Sequence, residues 1–166
     1  KYITILLTGT PGTGKTTLAR LLKKKYSLRV LSEKNFIRKK KIGEWNSNTK
    51  EYDVDVSALK KELVAHLPNA KHNMLIEGHL SCEVSLSVDG VILLRCPVKE
   101  LEKRLKKRNY SALKIQENLF CEETNYVGKR VRQNYSCIPT LSVSTHRPKK
   151  EGVRRISHWI DVYLLK

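Results

Sequence analysis

Candidate strands alternate with amphipathic helical segments along the whole chain. The strand-like runs lie at 2–7, 28–31, 73–76, 91–94 and 138–144, and each has the length of one short strand. The run 91–94 is apolar at every position, which is typical of a strand buried on both faces of a parallel sheet. The alternation predicts a doubly wound α/β fold, a five-stranded parallel sheet flanked by helices, with ligands at the carboxyl ends of the strands.

The segments between these runs carry apolar residues at helical spacing. Helices are predicted directly after the glycine-rich stretch 9–16, between a capping residue at Asp55 and Pro68, over 98–107, over 112–126, and from about Glu151 to the end. From Ser32 the chain becomes charged and polar, and apolar residues no longer recur at a spacing that would place them on one buried face. We therefore expect a mobile flap carried on the core.

The stretch Gly9–Thr16 matches the phosphate-binding pattern G-x-x-x-x-G-K-[ST], with a strand before it and a helix after it. Glycines let such a loop turn its backbone N–H groups towards an anion, and the helix adds the positive end of its dipole. Lys15 is expected to reach the β- and γ-phosphates of a nucleotide, and the hydroxyl of Thr16 to hold Mg²⁺. The alternative, a strand-to-helix turn without a ligand, is disfavoured because motif, strand and helix agree.

Length and charge narrow the picture further. The 166 residues suit one domain, and 33 lysines and arginines against 16 acids give a formal net charge of +17. Such a charge favours a polyanionic partner such as nucleic acid or a ribonucleoprotein over a merely soluble surface. No apolar run approaches a membrane span, so we expect neither secretion nor a membrane partner. The four cysteines form no C-x-x-C pair, which argues against a zinc or redox motif and favours reduced intracellular thiols.

Glu77 and His79 follow the candidate strand at 73–76. A carboxylate at a strand end beside a phosphate loop can hold the hydration shell of Mg²⁺ or orient an attacking water. We interpret Glu77 in this role, against the alternative of an exposed loop acid. His79 is either a contributor to the same site or a structural histidine.

Arg108 is a third candidate, at the corner between a helix and a short lid. Its planar guanidinium can stack on adenine or clamp a phosphate, which a lysine does less well. The neighbouring Arg104, Lys106 and Lys107 also allow a solvated basic helix end.

Four segments together resemble adenylate kinase isoenzyme 6. They are the loop Thr8–Thr17, the tripeptide Glu51–Asp53, the corner Glu77–His79, and an R-x-Y…K-I-x-E-N-L-x-C-E stretch that runs from Arg108 to Glu122. The last stretch is the most specific, and the resemblance thins after about Tyr126. It implies a P-loop NTPase fold of the adenylate-kinase type within one domain over 1–166, with a monophosphate-binding flap at about 32–52 and a short lid at about 107–117.

The resemblance also implies roles for individual residues. The nucleotide phosphates are expected at Gly12, Gly14, Lys15, Thr16 and Thr17, with Arg108 at the adenine and Arg38 near the phosphate of AMP. The family motif at the strand end has aspartate where this chain has Glu77, and the usual glycine after Arg108 is Asn109, which also tolerates unusual backbone angles.

The implied activity is Mg²⁺-dependent transfer of the ATP γ-phosphoryl group to AMP, giving two ADP, with slower ATP hydrolysis. Lys15, Glu77 and His79 are the candidate catalytic residues, and Thr16 and Glu77 the candidate metal ligands. The family further implies a monomer in the nucleus and cytoplasm that acts in small ribosomal subunit maturation, with a ribosomal protein and pre-ribosomal RNA as partners. An assembly factor switched by ATP hydrolysis is the main alternative, and a kinase for another acceptor such as shikimate has no signature in the flap.

Overall fold

The computed structural model describes residues 2–67 and 71–165. Seven strands and seven α-helices occur in this part of the chain. The strands are β1 (Thr4–Gly9), β2 (Arg29–Ser32), β3 (Glu44–Asn46), β4 (Glu51–Asp53), β5 (Met74–Glu77), β6 (Gly90–Arg95) and β7 (Thr140–Ser144). The helices are α1 (Lys15–Tyr26), α2 (Glu33–Lys40), α3 (Val56–His66), α4 (Val98–Lys106), α5 (Ala112–Glu123), α6 (Tyr126–Asn134) and α7 (Lys149–Trp159). A 3₁₀ turn, Leu80–Glu83, follows β5, and a π-helical turn, Ile160–Leu164, follows α7.

Five strands form one parallel sheet in the order β2-β5-β1-β6-β7. This confirms the predicted fold class, and the predicted strands are displaced by only one or two residues. The strand order reverses around β1, which has β5 on one side and β6 on the other. A crevice at the carboxyl ends of the strands is expected at such a reversal. No helix in the described part of the chain is long and apolar enough to cross a bilayer.

Apolar side chains cover both faces of the sheet. On one face, α1 and α7 bury residues such as Leu22 and Ile156 against the strands. On the other, α2, α3 and α6 bury Phe36, Leu59 and Val131. A smaller cluster of Leu101, Leu105 and Cys96 packs under α5. Both faces are covered because the crossover connections of a parallel sheet run over them.

The prediction for the start of the flap is wrong in one respect. Residues 33–40 form a regular helix, α2, whose Phe36 and Ile37 are buried, and Ile42 beyond it is buried too. The sequence pattern hides this because only two apolar positions of this short helix, adjacent in the chain, face the core. The remaining flap is a two-stranded antiparallel hairpin, β3–β4.

The predicted helix over 112–126 is also wrong at its end. It stops at Glu123, and a second helix, α6, begins at Tyr126. Asn125 lies between them with φ of 52°, in the left-handed region that ends a helix. Asp55 caps α3 as predicted, accepting hydrogen bonds from Ser57 N and Ala58 N, whereas the predicted stop at Pro68 lies outside the described residues.

The core packing predicts a difference between two truncations on α3. Leu59→Ala removes a fully buried side chain, so we expect the free energy of unfolding to fall by about 2–5 kcal/mol. Val64→Ala, on the exposed side of the same helix, should change it by less than about 0.5 kcal/mol. Urea denaturation followed by circular dichroism measures both, and equal losses would contradict this packing of α3.

Candidate active site

A cavity of about 840 Å³ opens at the carboxyl ends of the central strands. The phosphate loop and the corner after β5 form its base. The first turn of α2, the β3–β4 hairpin, and the segment 108–114 form its sides. Its volume falls within the range of small-molecule sites.

The phosphate loop is fixed by close packing against α4. Gly12 has φ of 94°, and a Cβ atom there would lie 2.9 Å from side-chain carbons of Leu101 and Leu105. Glycine is therefore needed at this position for its backbone angle and for its lack of a side chain. Gly12, Gly14, Lys15, Thr16 and Thr17 all line the cavity, and their role at nucleotide phosphates stays a prediction.

Lys15 is the first residue of α1, and only 8% of it is exposed. Its Nζ donates hydrogen bonds to the carbonyl oxygens of Gly9, at 2.8 Å, and Thr10, at 3.1 Å. Burial lowers the pKa of Lys15 from 10.5 to about 8, and this effect is partly opposed by the charges of Glu77 and Glu33. A ligand phosphate at this position would favour the charged ammonium.

Glu77 is the last residue of β5 and lies opposite Leu7 of β1 in the sheet. The hydroxyl of Thr16 is 3.5 Å from Glu77 Oε1. Burial raises the pKa of Glu77, and the charge of Lys15 lowers it in part. A hydroxyl and a carboxylate side by side at a phosphate loop are the oxygen donors that Mg²⁺ prefers, so the residues present fit this ion.

His79 lies two residues beyond Glu77 and also lines the cavity. Its Nδ1 is 3.8 Å from Oε1 of Glu33, outside hydrogen-bond distance. Desolvation lowers the pKa of His79, and the charge of Glu33 opposes that shift. The lowered pKa favours the neutral imidazole at pH 7.

Glu33 is a buried residue of this site that the sequence reasoning missed. Only 3% of it is exposed. Its carboxylate accepts hydrogen bonds from the backbone N–H groups of Leu80, at 3.0 Å, and Ser81, at 2.7 Å, and from the Ser81 hydroxyl. Glu33 thus joins the start of α2 to the corner that carries Glu77 and His79. An acid directly after a strand was a signal for it, but the polar composition of 32–52 obscured that signal.

The corner leaves no room for a side chain at Gly78. A Cβ atom there would lie 2.2 Å from a carboxylate oxygen of Glu33. Because the carboxylate is held by three hydrogen bonds, it has little freedom to move away. The glycine between Glu77 and His79 is therefore a packing requirement of the Glu33 contact.

The structure separates the two predicted arginines. Arg108 lines the cavity in the turn after α4, and the next residue, Asn109, has φ of 53°, the unusual backbone angle that the sequence analysis allowed for. Arg38 is exposed on α2 and is absent from the cavity lining, where Lys34, one turn earlier, is present. The assignment of Arg38 to an acceptor phosphate stays a prediction.

Lys114 of α5 joins the lid segment to the flap hairpin. Its Nζ lies 2.8 Å from Oε1 of Glu51, donates to the carbonyl oxygen of Thr49 at 3.3 Å, and sits 4.0 Å from the ring centroid of Tyr110. These contacts close one side of the cavity. Trp45 and Tyr52 of the hairpin, whose ring centroids are 5.1 Å apart, also line the cavity.

The Glu33 contacts predict the effect of Glu33→Gln. The amide presents one acceptor oxygen where the carboxylate has two, so we expect the free energy of unfolding to fall by about 1–3 kcal/mol. The amides of Leu80 and Ser81 should exchange hydrogen faster. A matched control is Glu62→Gln, a partly exposed acid 3.7 Å from Lys40, which should change stability by less than about 0.5 kcal/mol. Unchanged exchange at the corner would contradict the assigned contacts.

Comparison with known proteins identifies the family. The AAA domain family matches residues 5–125. A protein of Pyrococcus furiosus named "Putative adenylate kinase" is 39% identical over 174 residues, covering 96% of this chain and 92% of that protein. The adenylate kinase isoenzyme 6 homolog of Dictyostelium discoideum is 30% identical and covers 95% of this chain and 91% of its own length.

Solved structures share the fold at low sequence identity. Shikimate kinase from Acinetobacter baumannii, in complex with shikimate, superposes with a TM-score of 0.69 at 20% identity, covering 100% of this chain and 97% of that one. Deoxyadenosine kinase from M. mycoides with bound dATP gives 0.62 at 18% identity, covering 96% and 100%. At these identities the likeness concerns the fold alone. The chain matches the AAA domain family and is similar over nearly its whole length to the Pyrococcus and Dictyostelium proteins. It therefore belongs to the family that comprises adenylate kinase isoenzyme 6 homologs and archaeal adenylate kinases.

Proposed function

We propose that the protein is a nucleoside monophosphate kinase that transfers the γ-phosphoryl group of ATP to AMP, giving two ADP, with Mg²⁺. The observation that carries this proposal is the convergence of the phosphate loop, a strand-end carboxylate, a flap hairpin and a lid segment on one cavity. That cavity offers room for a donor and an acceptor. The family membership supports the same reaction class.

The residues of the cavity divide the work of phosphoryl transfer. The transition state is loose and anionic, so catalysis depends on positioning and positive charge, and no protein nucleophile is needed. The loop amides and Lys15 hold the triphosphate, and Arg108 stacks on the adenine or clamps a phosphate. Thr16, and Glu77 through water, would hold Mg²⁺, which supplies charge neutralisation between the phosphates when bound.

Water must be excluded if transfer to AMP is to exceed hydrolysis. The contacts of Lys114 with Glu51 and Thr49 close one side of the cavity, between lid and flap. The lid consists of one turn and the beginning of α5, so closure is incomplete. Slow ATP hydrolysis therefore accompanies kinase activity in this proposal.

A second candidate function is that of an assembly factor switched by ATP hydrolysis. The net charge of +17 favours it, since a kinase for small nucleotides does not need so large a charge. In this form of the proposal the protein acts in maturation of the small ribosomal subunit, in nucleus and cytoplasm, with a ribosomal protein and pre-ribosomal RNA as partners.

An acceptor panel tests the kinase proposal. ATP is incubated with AMP, dAMP, CMP, shikimate or water, and products are separated by anion-exchange chromatography. We expect AMP to give two ADP for each ATP consumed, at a rate well above hydrolysis in water. If ATP is hydrolysed slowly and AMP does not change the rate, the kinase proposal fails and the assembly-factor proposal is favoured.

Lys15→Ala identifies the site responsible. Removing the ammonium from the loop should lower turnover by about 100-fold or more, because transition-state charge loses its main side-chain partner. Lys24→Ala, on the exposed side of the same helix, should leave turnover unchanged. Wild-type turnover in the purified Lys15→Ala protein would refute the site assignment.

The lowered pKa of Lys15 predicts a proton uptake on ATP binding. In the free protein the ammonium titrates near pH 8, and bound phosphates raise its pKa. At a pH between the pKa of Lys15 in the free protein and its pKa in the ATP complex, the complex holds more protons than the free protein. The affinity for ATP should therefore fall by up to about tenfold per pH unit above pH 8. Calorimetry at pH 8.5 in two buffers of different ionisation enthalpy measures the uptake. In Lys15→Arg the uptake should vanish, because arginine stays charged.

A further inference from the structure

The outward sides of α1 and α7 carry a concentration of positive charge, which we call the α1–α7 face. Its cations are Arg20, Lys23, Lys24 and Lys25 on α1, and Lys149, Lys150, Arg154 and Arg155 on α7. All eight are exposed. At 1.5 Å per residue the two helices are each roughly 16–18 Å long.

The two helices form one continuous surface. Both pack on the same face of the sheet, with Leu22 and Ile156 fully buried. The hydroxyl of Tyr26, at the end of α1, donates a hydrogen bond to the carbonyl oxygen of Ser157 at 3.1 Å and lies 3.0 Å from Oδ1 of Asp161. The outward sides of α1 and α7 therefore point to solvent next to each other.

The charge of this face is not neutralised within the described part of the chain. None of its eight cations forms an ion pair there. The acids beside it are already engaged, since Glu151 lies 2.8 Å from Arg147, and Asp161 contacts the Tyr26 hydroxyl. Lys106 and Arg130 on other helices are paired with Glu102 and Glu83, but Lys60 and Lys129 form no ion pair within the described residues either. What distinguishes the α1–α7 face is that eight exposed cations lie on two adjacent helices.

Helix stability explains only part of this distribution. Cations in the last turn of α1 interact favourably with the negative end of its dipole. Lys149 and Lys150 occupy the first turn of α7, where the positive end of the dipole disfavours them. Their presence there points to an anion outside the chain.

We propose that the α1–α7 face binds the phosphate backbone of nucleic acid, at a place separate from the nucleotide cavity. Neighbouring cations on one helix side lie about 5–6 Å apart, which suits a ligand with closely and regularly spaced charges. An acidic protein or a membrane would also need apolar anchors. Of the described side chains on the two helices, only Leu21 is large, apolar and exposed.

The face and the cavity can be occupied together. None of the eight cations lines the cavity. Lys24 lies nine residues beyond Lys15 along α1, a distance of roughly 14 Å along the axis. The inference therefore does not depend on the proposed kinase reaction; it deepens the assembly-factor candidate by locating a surface for nucleic acid.

Fluorescence anisotropy with a labelled 20-nucleotide RNA, without ATP, tests the proposal, with DNA of the same sequence and the RNA duplex as parallel arms. We expect binding at 50 mM KCl, and we expect the logarithm of the association constant to fall linearly with log[KCl]. The slope should be about −3 to −6 on single strands, at about −0.7 per engaged cation. Comparison of the three affinities shows whether the single-stranded RNA, the DNA or the RNA duplex binds most tightly. Absence of binding, or tighter binding to anionic lipid vesicles than to any of the three, overturns the proposal.

A matched pair of charge reversals locates the surface. One variant carries K23E, K24E, R154E and R155E on the α1–α7 face. The control carries K60E, K61E, K129E and R132E, all exposed on α3 and α6, on the other face of the sheet. Each variant has four substitutions that each lower the net charge by two, so the net charge falls from +17 to +9 in both.

The face variant should lose about 100-fold or more in RNA affinity at 100 mM KCl and reduce the slope by about 2.8. The control should lose less than about fivefold, and ATP turnover should be unchanged in both. Equal losses in the two variants overturn the proposal, since net charge alone would then explain binding. If the variant with four substitutions does not fold, the same comparison is made with two substitutions in each protein. The face variant then carries K24E and R154E, and the control carries K60E and K129E.

Discussion

The parallel register of β1, β5 and β2 is the constraint on which the site depends. It places Leu7, Glu77 and Ser32 in one row across the sheet. The phosphate loop begins two residues beyond that row, and Glu33 follows it immediately. Lys15, Glu77 and Glu33 therefore meet because three strands end level with one another.

This convergence puts one ammonium and two carboxylates into a poorly solvated space. Burial disfavours the charged forms of Lys15 and Glu77, and their mutual attraction restores only part of that loss. Glu33 remains buried because three hydrogen-bond donors of the 80–81 corner surround its carboxylate. Fixed by them, Glu33 ties the flap helix α2 to the corner that follows Glu77 and His79.

The molecule also separates its charges in space. At the cavity, acids such as Glu51 and Glu77 lie near cations, and charges are partly compensated. On the α1–α7 face none of the eight cations forms an ion pair within the described part of the chain. Eight of the 33 lysines and arginines thus lie together on a face outside the cavity lining. A charge count alone gives the magnitude of this field, whereas the packing of α1 beside α7 gives its location.

The sequence by itself determined the strand-helix alternation, the phosphate loop and the strand-end carboxylate. Each depends on neighbours within about ten residues: an apolar run, a glycine pattern, or an acid that follows a strand. It also determined the family, because the stretch from Arg108 to Glu122 is specific enough to be recognised without the fold.

Only the tertiary structure decided which distant residues meet. The partners of Glu33 at 80–81, and of Lys114 at 49–51, lie between 47 and 65 positions away in the chain. No local period encodes such contacts, because they depend on how the crossover connections return to the sheet. For the same reason the sequence missed the core-facing side of α2, and it could not separate Arg108, which lines the cavity, from Arg38, which does not.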